Sequence, residues 1–420
     1  MAFPPITEQS DEWACDVIVV GAGPAGCATA IEATRAGCKV VVVDKSRFPR
    51  DKCCGDGLTT GALRHLDALG LDPVAVPSWK TIDSVHLRGP RGRRLAFPLP
   101  PESDGTFAAV CRRSELDAAL VDLVRREGAT VLERHELVAV SQTADSVTAD
   151  VAGIRFHARY LVAADGMWSP TRKLLGIGPP DYRGEWHAFR QYFTDVTGPA
   201  ADQLLVWFEP DLLPGYAWSF PLAGGTANVG FGIQRGRGHR VQDMKNLWPR
   251  LLGRDHVVEA LGPSAKPEAP HRAWPIPARL GDVPLAVGRA LFVGDAAAAT
   301  DPMTGEGIGQ AIETGRDAAR SIATAGFDVP ERAAAQYRRC LEQGMIRDHG
   351  LARSLSTFLR GSRRTELAIS VAGASEWTRR HFARWLFEDY PRAAVVTPSR
   401  WHRRLFTSPG AFHPNRPPVS

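Results

Sequence analysis

Apolar positions along the chain change rhythm several times. Residues 16–20 are a short β-branched run, a glycine-rich turn follows, and residues 25–36 place small side chains at helical spacing. A second β-branched run covers 39–44. Together these predict a strand–turn–helix–strand unit. Residues 114–127 put Leu116, Leu120, Leu123 and Val124 on one face of an amphipathic helix, with strands expected at 130–132, 137–140 and 156–163. From 203 to 233 the pattern becomes aromatic-rich strands separated by Pro and Gly turns, as in an antiparallel sheet. A buried strand at 291–294, a helix at 307–325 and a mostly helical stretch at 331–390 follow, and the tail from Pro409 is expected to be loose. There is no internal repeat and no low-complexity linker.

The strands of the nucleotide-binding unit therefore come from both ends of the chain. The expected fold is α/β: a discontinuous, doubly wound Rossmann-type domain built from residues 1–78, 112–178 and 271–330. An antiparallel-sheet substrate domain, α+β in character, is inserted (79–111 and 179–270), and a C-terminal helical region with a loose tail fills 331–420. A length of 420 residues suits two domains. A net charge of +5 is too weak for a nucleic-acid partner, although it suits an anionic cofactor or membrane surface. Seven cysteines without regular spacing point to a reducing compartment rather than a disulfide framework. The start lacks a basic n-region, and the uncharged stretch 17–31 is glycine-interrupted and too short to span a bilayer. A cytoplasmic protein is expected.

VIVVGAGPAG sets Gly21, Gly23 and Gly26 between strand and helix: Gly21 for the tight turn, Gly23 for backbone approach to a pyrophosphate, Gly26 for helix–strand packing. Ala22, Pro24 and Ala25 complete this loop. The helix N-terminus offers unpaired N–H groups to phosphate. Asp44 closes the second strand 18 residues after Gly26, where a carboxylate accepts ribose hydroxyls, with Lys45 beside it. Two later stretches add to this. LVAADGMWSPTRK ends a strand on Asp165 and Gly166, with Ser169 and Arg172 following; LFVGDAAAATDPMTGEGIGQAI ends one on Gly294 and Asp295 and runs through Gly305 and Gly307 to a helix opening at Ile308. With these motifs the sequence resembles the flavoprotein monooxygenase superfamily, which implies FAD as cofactor and Asp295 on its ribityl chain. A helix opening near Gly307 and aimed at the pyrimidine side of the flavin stabilises negative charge there by roughly 0.3–2 kcal/mol.

FPRDKCCGDGLTTGAL and LPGYAWSFPLAGGTANVGFG resemble the geranylgeranyl reductase family, including its menaquinone-chain reductases, over most of the chain. Its lipid-site pattern is met by Tyr216, Trp218, Phe220, Pro221, Gly230 and Gly232, and its cysteine-glycine loop by Lys52, Cys54, Gly55, Asp56 and Gly57. Asp56 interrupts the three glycines of many members, in the manner of the quinone-chain branch. Arg112 and Arg113 match the family's flavin-contacting arginine position. The resemblance implies reduction of carbon–carbon double bonds in a polyprenyl chain, of a geranylgeranyl lipid or a menaquinone, with electrons from NAD(P)H or a ferredoxin. Cys54 is then either the proton donor or a small residue shaping the flavin face, and the aromatic strand either lines a prenyl tunnel or is sheet core. An aromatic or polyketide hydroxylase shares every flavin motif and is the alternative. A halogenase fits less, its WxWxIP motif being absent, as does a non-catalytic prenyl-binding protein on the same scaffold. The twelve histidines show no metal-like spacing. Residues 376–406 interleave seven arginines and several aromatics with three acids, a pattern expected of a peripheral contact with an anionic membrane.

Overall fold

In the computed structural model, which describes residues 12–179, 181–236, 240–379, 382 and 409–413, two large sheets organise the chain. The first is centred on the strand Glu12–Val20. It runs parallel to Val40–Asp44 on one side and Ile154–Ala163 on the other, with Thr130–Glu133 and Ala290–Phe292 parallel beyond them. Both faces are covered at 17–20, 40–43, 160–163 and 290–292, which is why those stretches read as unbroken apolar runs rather than alternations. The hairpin partner Val147–Val151 and then Leu137–Gln142 add antiparallel strands to Ile154–Ala163. The helix Pro24–Arg35 packs between Arg113–Arg126 and Ile308–Ala325. Thr29 Oγ1 donates to the Gly315 carbonyl at 3.2 Å where the first and last of these helices cross. The expected α/β architecture, with sheet strands drawn from both ends of the chain, is thus the one observed.

The second sheet has the order Lys266–Pro267, Trp186–Thr194, Thr226–Gln234, Ala217–Leu222, Leu204–Trp207, Ser84–Arg88, Arg94–Pro98. It departs from the expected antiparallel pattern at one pair: Leu204–Trp207 runs parallel to Ser84–Arg88. These two strands come from separate inserted segments, so no hairpin sets their relative direction. The strand Arg272–Ile276 pairs with Trp186–Thr194 in this sheet, whereas the expected division at 270/271 gave it to the flavin-binding part. Its two-proline neighbourhood hid it, and a proline-bearing strand belongs at a sheet edge.

Three helices follow, Pro330–Gln343, Met345–Phe358 and Ser362–Ala372. The first is fixed to the parallel sheet by Tyr337, whose hydroxyl donates to the Phe292 carbonyl at 2.8 Å. The tail is not loose at 409–413: Ala411 is fully buried in a bridge with Thr106, and Arg64 Nη2 donates to the Pro409 carbonyl at 2.7 Å. No described helix is long and apolar enough to cross a membrane. The basic aromatic stretch at 376–406 lies, beyond 379 and apart from Phe382, outside the described residues.

Candidate functional site

A cavity of about 1220 Å³ runs from the glycine loop at the C-terminal edge of the parallel sheet to the inserted sheet and the C-terminal helices. At its nucleotide end, Gly21 sits at φ +103°, a conformation L side chains rarely adopt, and a Cβ there would lie 2.4 Å from the Ala164 carbonyl oxygen. A Cβ on Gly26 would lie 1.8 Å from the Gly21 carbonyl oxygen, so this residue serves helix–strand contact and does not line the cavity. Gly23 is different: its Cβ position meets only Arg50 Nη2, at 3.6 Å, and opens into the cavity. The helix behind it starts without a side-chain cap or an acid in its first turn, so its N–H groups and positive end are available to an anion. Asp44 receives the Ala22 and Ser46 backbone N–H groups, each at 2.8 Å, one on either carboxylate oxygen. That fixes the carboxylate at the strand end and leaves further lone pairs for hydroxyl donors.

The later motifs close the same space. Asp165 Oδ2 accepts from Thr171 N at 2.8 Å, and Arg172 donates to the carbonyls of Ala296 and Pro284, tying the Asp165–Gly166 turn to the loop after Asp295. Asp295 lines the cavity with Oδ2 3.9 Å from Lys52 Nζ, and that ammonium lies 3.9 Å from the Trp274 ring centroid. Burial lowers the Lys52 pKa, with Asp295 acting in the other direction. The helix Ile308–Ala325 begins at Gly307, again uncapped by any side chain, and Gly305, Gly307 and Ile308 all face the cavity.

Opposite lies the inserted sheet. Tyr216, Trp218 and Phe220 alternate toward the cavity with successive ring centroids 6.0 Å apart, while Ala217 between them packs into the core with Phe189, Val229 and Phe231. Gly230 sits across from Trp218, and a Cβ there would lie 2.3 Å from the indole; it seats the ring and does not itself line the cavity. Pro221 is buried in the strand, outside the lining. Gly232 does line it, and its N–H holds the Tyr216 carbonyl at 3.0 Å. The Tyr216 hydroxyl donates to the Thr304 carbonyl, joining this strand to the loop before Gly305. Beyond the aromatics, Leu355, Phe358, Leu359 and Ile369 of the C-terminal helices extend an apolar wall.

The cysteine-glycine loop bridges the two ends. Cβ positions on Gly55 and Gly57 lie 3.5 Å and 3.1 Å from the Phe220 ring, so the loop rests directly on the aromatic strand. Asn228 Nδ2 donates to the Cys54 carbonyl at 2.9 Å and to Asp56 Oδ2 at 2.8 Å, while Trp218 Nε1 donates to Asn228 Oδ1 at 3.1 Å. Burial raises the Cys54 pKa, which keeps a proton on sulfur, although Arg113 opposes it. Cys53 also borders the cavity, but its thiol lies 3.7 Å from the Arg272 carbonyl, and burial pushes its pKa to about 12.

Of the residues expected from sequence, the structure gathers Gly21, Gly23, Pro24, Ala25, Asp44, Lys45, Lys52, Cys54, Gly55, Asp56, Gly57, Asp165, Gly166, Gly294, Asp295, Gly305, Gly307 and Ile308 around one cavity, with Tyr216, Trp218, Phe220 and Gly232 facing them. Ala22 acts through its N–H on Asp44 from outside the lining. Arg112 is a correction. It points away, pairing with Glu268 at 2.5 Å and stacking over Tyr192, and the helix-start arginine that reaches the cavity is Arg113. Arg113 is buried and paired with Asp117 through two bonds of 2.9 and 3.0 Å. Arg50 was missed; it sits above Gly23 and 3.4 Å from Asp117. Among the described residues no group of His, Cys, Asp and Glu could hold a metal ion.

The residues fit FAD. An open backbone at Gly23, two uncapped helix starts, the cations Arg50 and Lys52 and the carboxylates Asp44 and Asp295 meet its pyrophosphate, ribose and ribityl chemistry in turn. The FAD binding domain family matches residues 14–326. A menaquinone reductase of Mycobacterium tuberculosis is 34% identical over 326 residues, covering 73% of this chain and 76% of that protein. A digeranylgeranylglycerophospholipid reductase of Methanopyrus kandleri is 31% identical over 328 residues, covering 74% and 77%. The solved structure of a geranylgeranyl bacteriochlorophyll reductase-like protein from Thermoplasma acidophilum superposes with a TM-score of 0.76 at 21% identity, over 92% of this chain and 99% of that one.

Proposed function

This chain belongs to the FAD binding domain family, in its geranylgeranyl reductase branch, and from that premise we propose that it reduces carbon–carbon double bonds in a polyprenyl chain, that of a menaquinone in particular. The observation that carries this reading is the continuity of the cavity: a phosphate-ready glycine loop, a cysteine on a glycine turn and an aromatic wall share one space. A long apolar chain is bound there by burial, at ~0.8 kcal/mol per CH₂. Tyr216, Trp218 and Phe220 position it and exclude water from the reacting bond. When bound, reduced FAD supplies the hydride. Cys54 holds the complementary proton on Sγ at the loop that rests on Phe220. The quinone chain is favoured over a glycerophospholipid by the Gly55–Asp56–Gly57 sequence and by the 34% identity to the menaquinone reductase.

Reducing equivalents come from NAD(P)H or a ferredoxin, and a peripheral contact with the membrane surface gives access to the lipid. Mass spectrometry of quinones and prenyl lipids from cells with and without the chain tests the reading. A gain of two hydrogens per affected prenyl unit, seen only with the chain present, is expected; unchanged lipids in both would overturn it.

A further inference from the structure

Asp56 is an unusual residue to find between two glycines under an aromatic wall. It is fully buried, its backbone sits at φ +68°, and its carboxyl is bound unevenly. Oδ2 accepts from the Tyr192 hydroxyl at 2.5 Å and from Asn228 Nδ2 at 2.8 Å, whereas Oδ1 is buried with no hydrogen-bond partner among the described residues. A left-handed, desolvated acid is costly unless it is used or satisfied. The surroundings connect it to Cys54. Asn228 clamps both, through the Cys54 carbonyl and Asp56 Oδ2, and the Asp56 N–H points at Cys54 Sγ at 3.3 Å. Two cations, Arg113 and Arg190, act on the Asp56 carboxyl, and Arg113 acts on the Cys54 thiol as well.

We propose that Asp56 is the proton-holding partner of Cys54, returning a proton to the sulfur after each reduction and opposing the pull of Arg113 toward a standing thiolate. The inference rests on the prenyl-reduction reading above. In the step it serves, bound reduced FAD would supply a hydride, and with it both electrons, for one C–H bond. The Cys54 S–H bond breaks as the second C–H bond forms on the neighbouring carbon, leaving a thiolate. That thiolate is held by the Asp56 N–H and by Arg113. The O–H of Asp56 then breaks and S–H reforms, and the carboxylate takes its next proton from water entering the cavity. Atoms and charge balance with FAD reduced before the cycle and oxidised after it. Asp56 acts through Cys54 and is a positioning residue, not one that touches the alkene.

Burial pushes the Asp56 pKa up to about 6, against the hydrogen bonds of Tyr192 and Asn228 and the charges of Arg190 and Arg113. Its protonated form is therefore present below about pH 6 and lost as pH rises through it. Cys54, Cys111 and Arg112 complete the set of titratable and charged neighbours. The ionised carboxylate in turn raises the Cys54 pKa. A like charge within a few ångströms shifts a pKa by roughly one unit or more.

The test uses the full-length holoenzyme carrying Cys53→Ala, with and without Asp56→Asn, and has two readouts. The first is the pH dependence of Cys54 alkylation by iodoacetamide, followed by peptide mass spectrometry, which requires no turnover. Asp56→Asn is expected to speed alkylation about tenfold on the alkaline side, because the thiolate is no longer opposed. The second is the pH profile of prenyl-substrate-driven flavin reoxidation, expected to fall as pH rises through about 6 and to lose that limb in Asp56→Asn. Tyr192→Phe, which removes a bond favouring the carboxylate, should move the limb to higher pH and keeps the proposal open to test if Asp56→Asn does not fold. Identical alkylation profiles with and without Asp56→Asn would overturn the coupling, even in a protein that turns over prenyl substrate. Loss of turnover at every pH in the unsubstituted protein, with the alkylation shift intact, would instead count against prenyl reduction.

Discussion

Replacing Gly23 with Val separates the flavin site from the fold. Gly23 sits at φ −80°, ψ −174°, extended backbone open to any residue, so valine is not strained there. The Cβ it gains meets only the Arg50 guanidinium, at 3.6 Å, and its methyl groups add bulk at the edge of the cavity where we propose the pyrophosphate lies. Pushing the phosphates off two charge-assisted hydrogen bonds, at about 1.5–3 kcal/mol each, weakens FAD by about 3–6 kcal/mol, or roughly 10²–10⁴-fold. The cost to stability, at a helix N-cap that already lacks a side-chain bond, is expected to stay near 1 kcal/mol. Gly26→Val is the contrast: its Cβ would stand 1.8 Å from the Gly21 carbonyl oxygen and the helix must move. Visible flavin absorbance relative to protein absorbance, FAD titration of apoprotein and urea unfolding measure all of this. Gly23→Val should be colourless and folded, and Gly26→Val colourless and destabilised. Normal FAD affinity in Gly23→Val, or equal loss of stability in both variants, would refute the placement of the phosphate loop.

Cys54→Ala should keep its flavin spectrum yet slow alkene reduction about 10²–10⁴-fold in single turnover, as for loss of a general acid, while Cys53→Ala stays close to the unsubstituted rate. Equal effects would remove any special role for Cys54. Trp218→Ala should retain FAD but lower turnover roughly 10²-fold through loosened chain position, read from single-turnover rates with a prenylquinone. Asp117→Ala, which removes the buried partner of Arg113 and leaves Arg50 with Asp44 at 3.9 Å, should cost about 3–5 kcal/mol in urea unfolding; a loss under 1 kcal/mol would discount the Arg113–Asp117 pair as an anchor.

The flavin end was legible because its chemistry is local in sequence. Strand, Gly21–Gly26 turn, helix and Asp44 lie within one short stretch, and each carries its own signal. Cys54, Gly55 and Gly57 and the alternation Tyr216–Trp218–Phe220 came instead from the family resemblance of their two stretches, which left open whether the aromatics line a tunnel or fill sheet core. The proton-handling cluster was not, since Asp56 meets Tyr192 from 136 residues away and Asn228 from 172, and neither partner stands out in its own strand. The Arg112 and Arg113 assignment turned on a single position at a helix start, where only the burial of Asp117 on the same helix decides which arginine turns inward. Arg272–Ile276 was hidden by prolines that mark an edge strand as readily as a loop. The apolar wall from the last helices carried a weak signal, Leu355, Phe358 and Leu359 at helical spacing, masked by the basic, polar composition around it.

Anaerobic single turnover tests the central claim most directly. Chemically reduced protein, mixed with a menaquinone under strict exclusion of oxygen, should return to oxidised flavin as the side chain gains two hydrogens and no oxygen. Failure to turn over without oxygen, together with heavy-isotope oxygen in the product when labelled dioxygen is admitted, would contradict it and establish a hydroxylase.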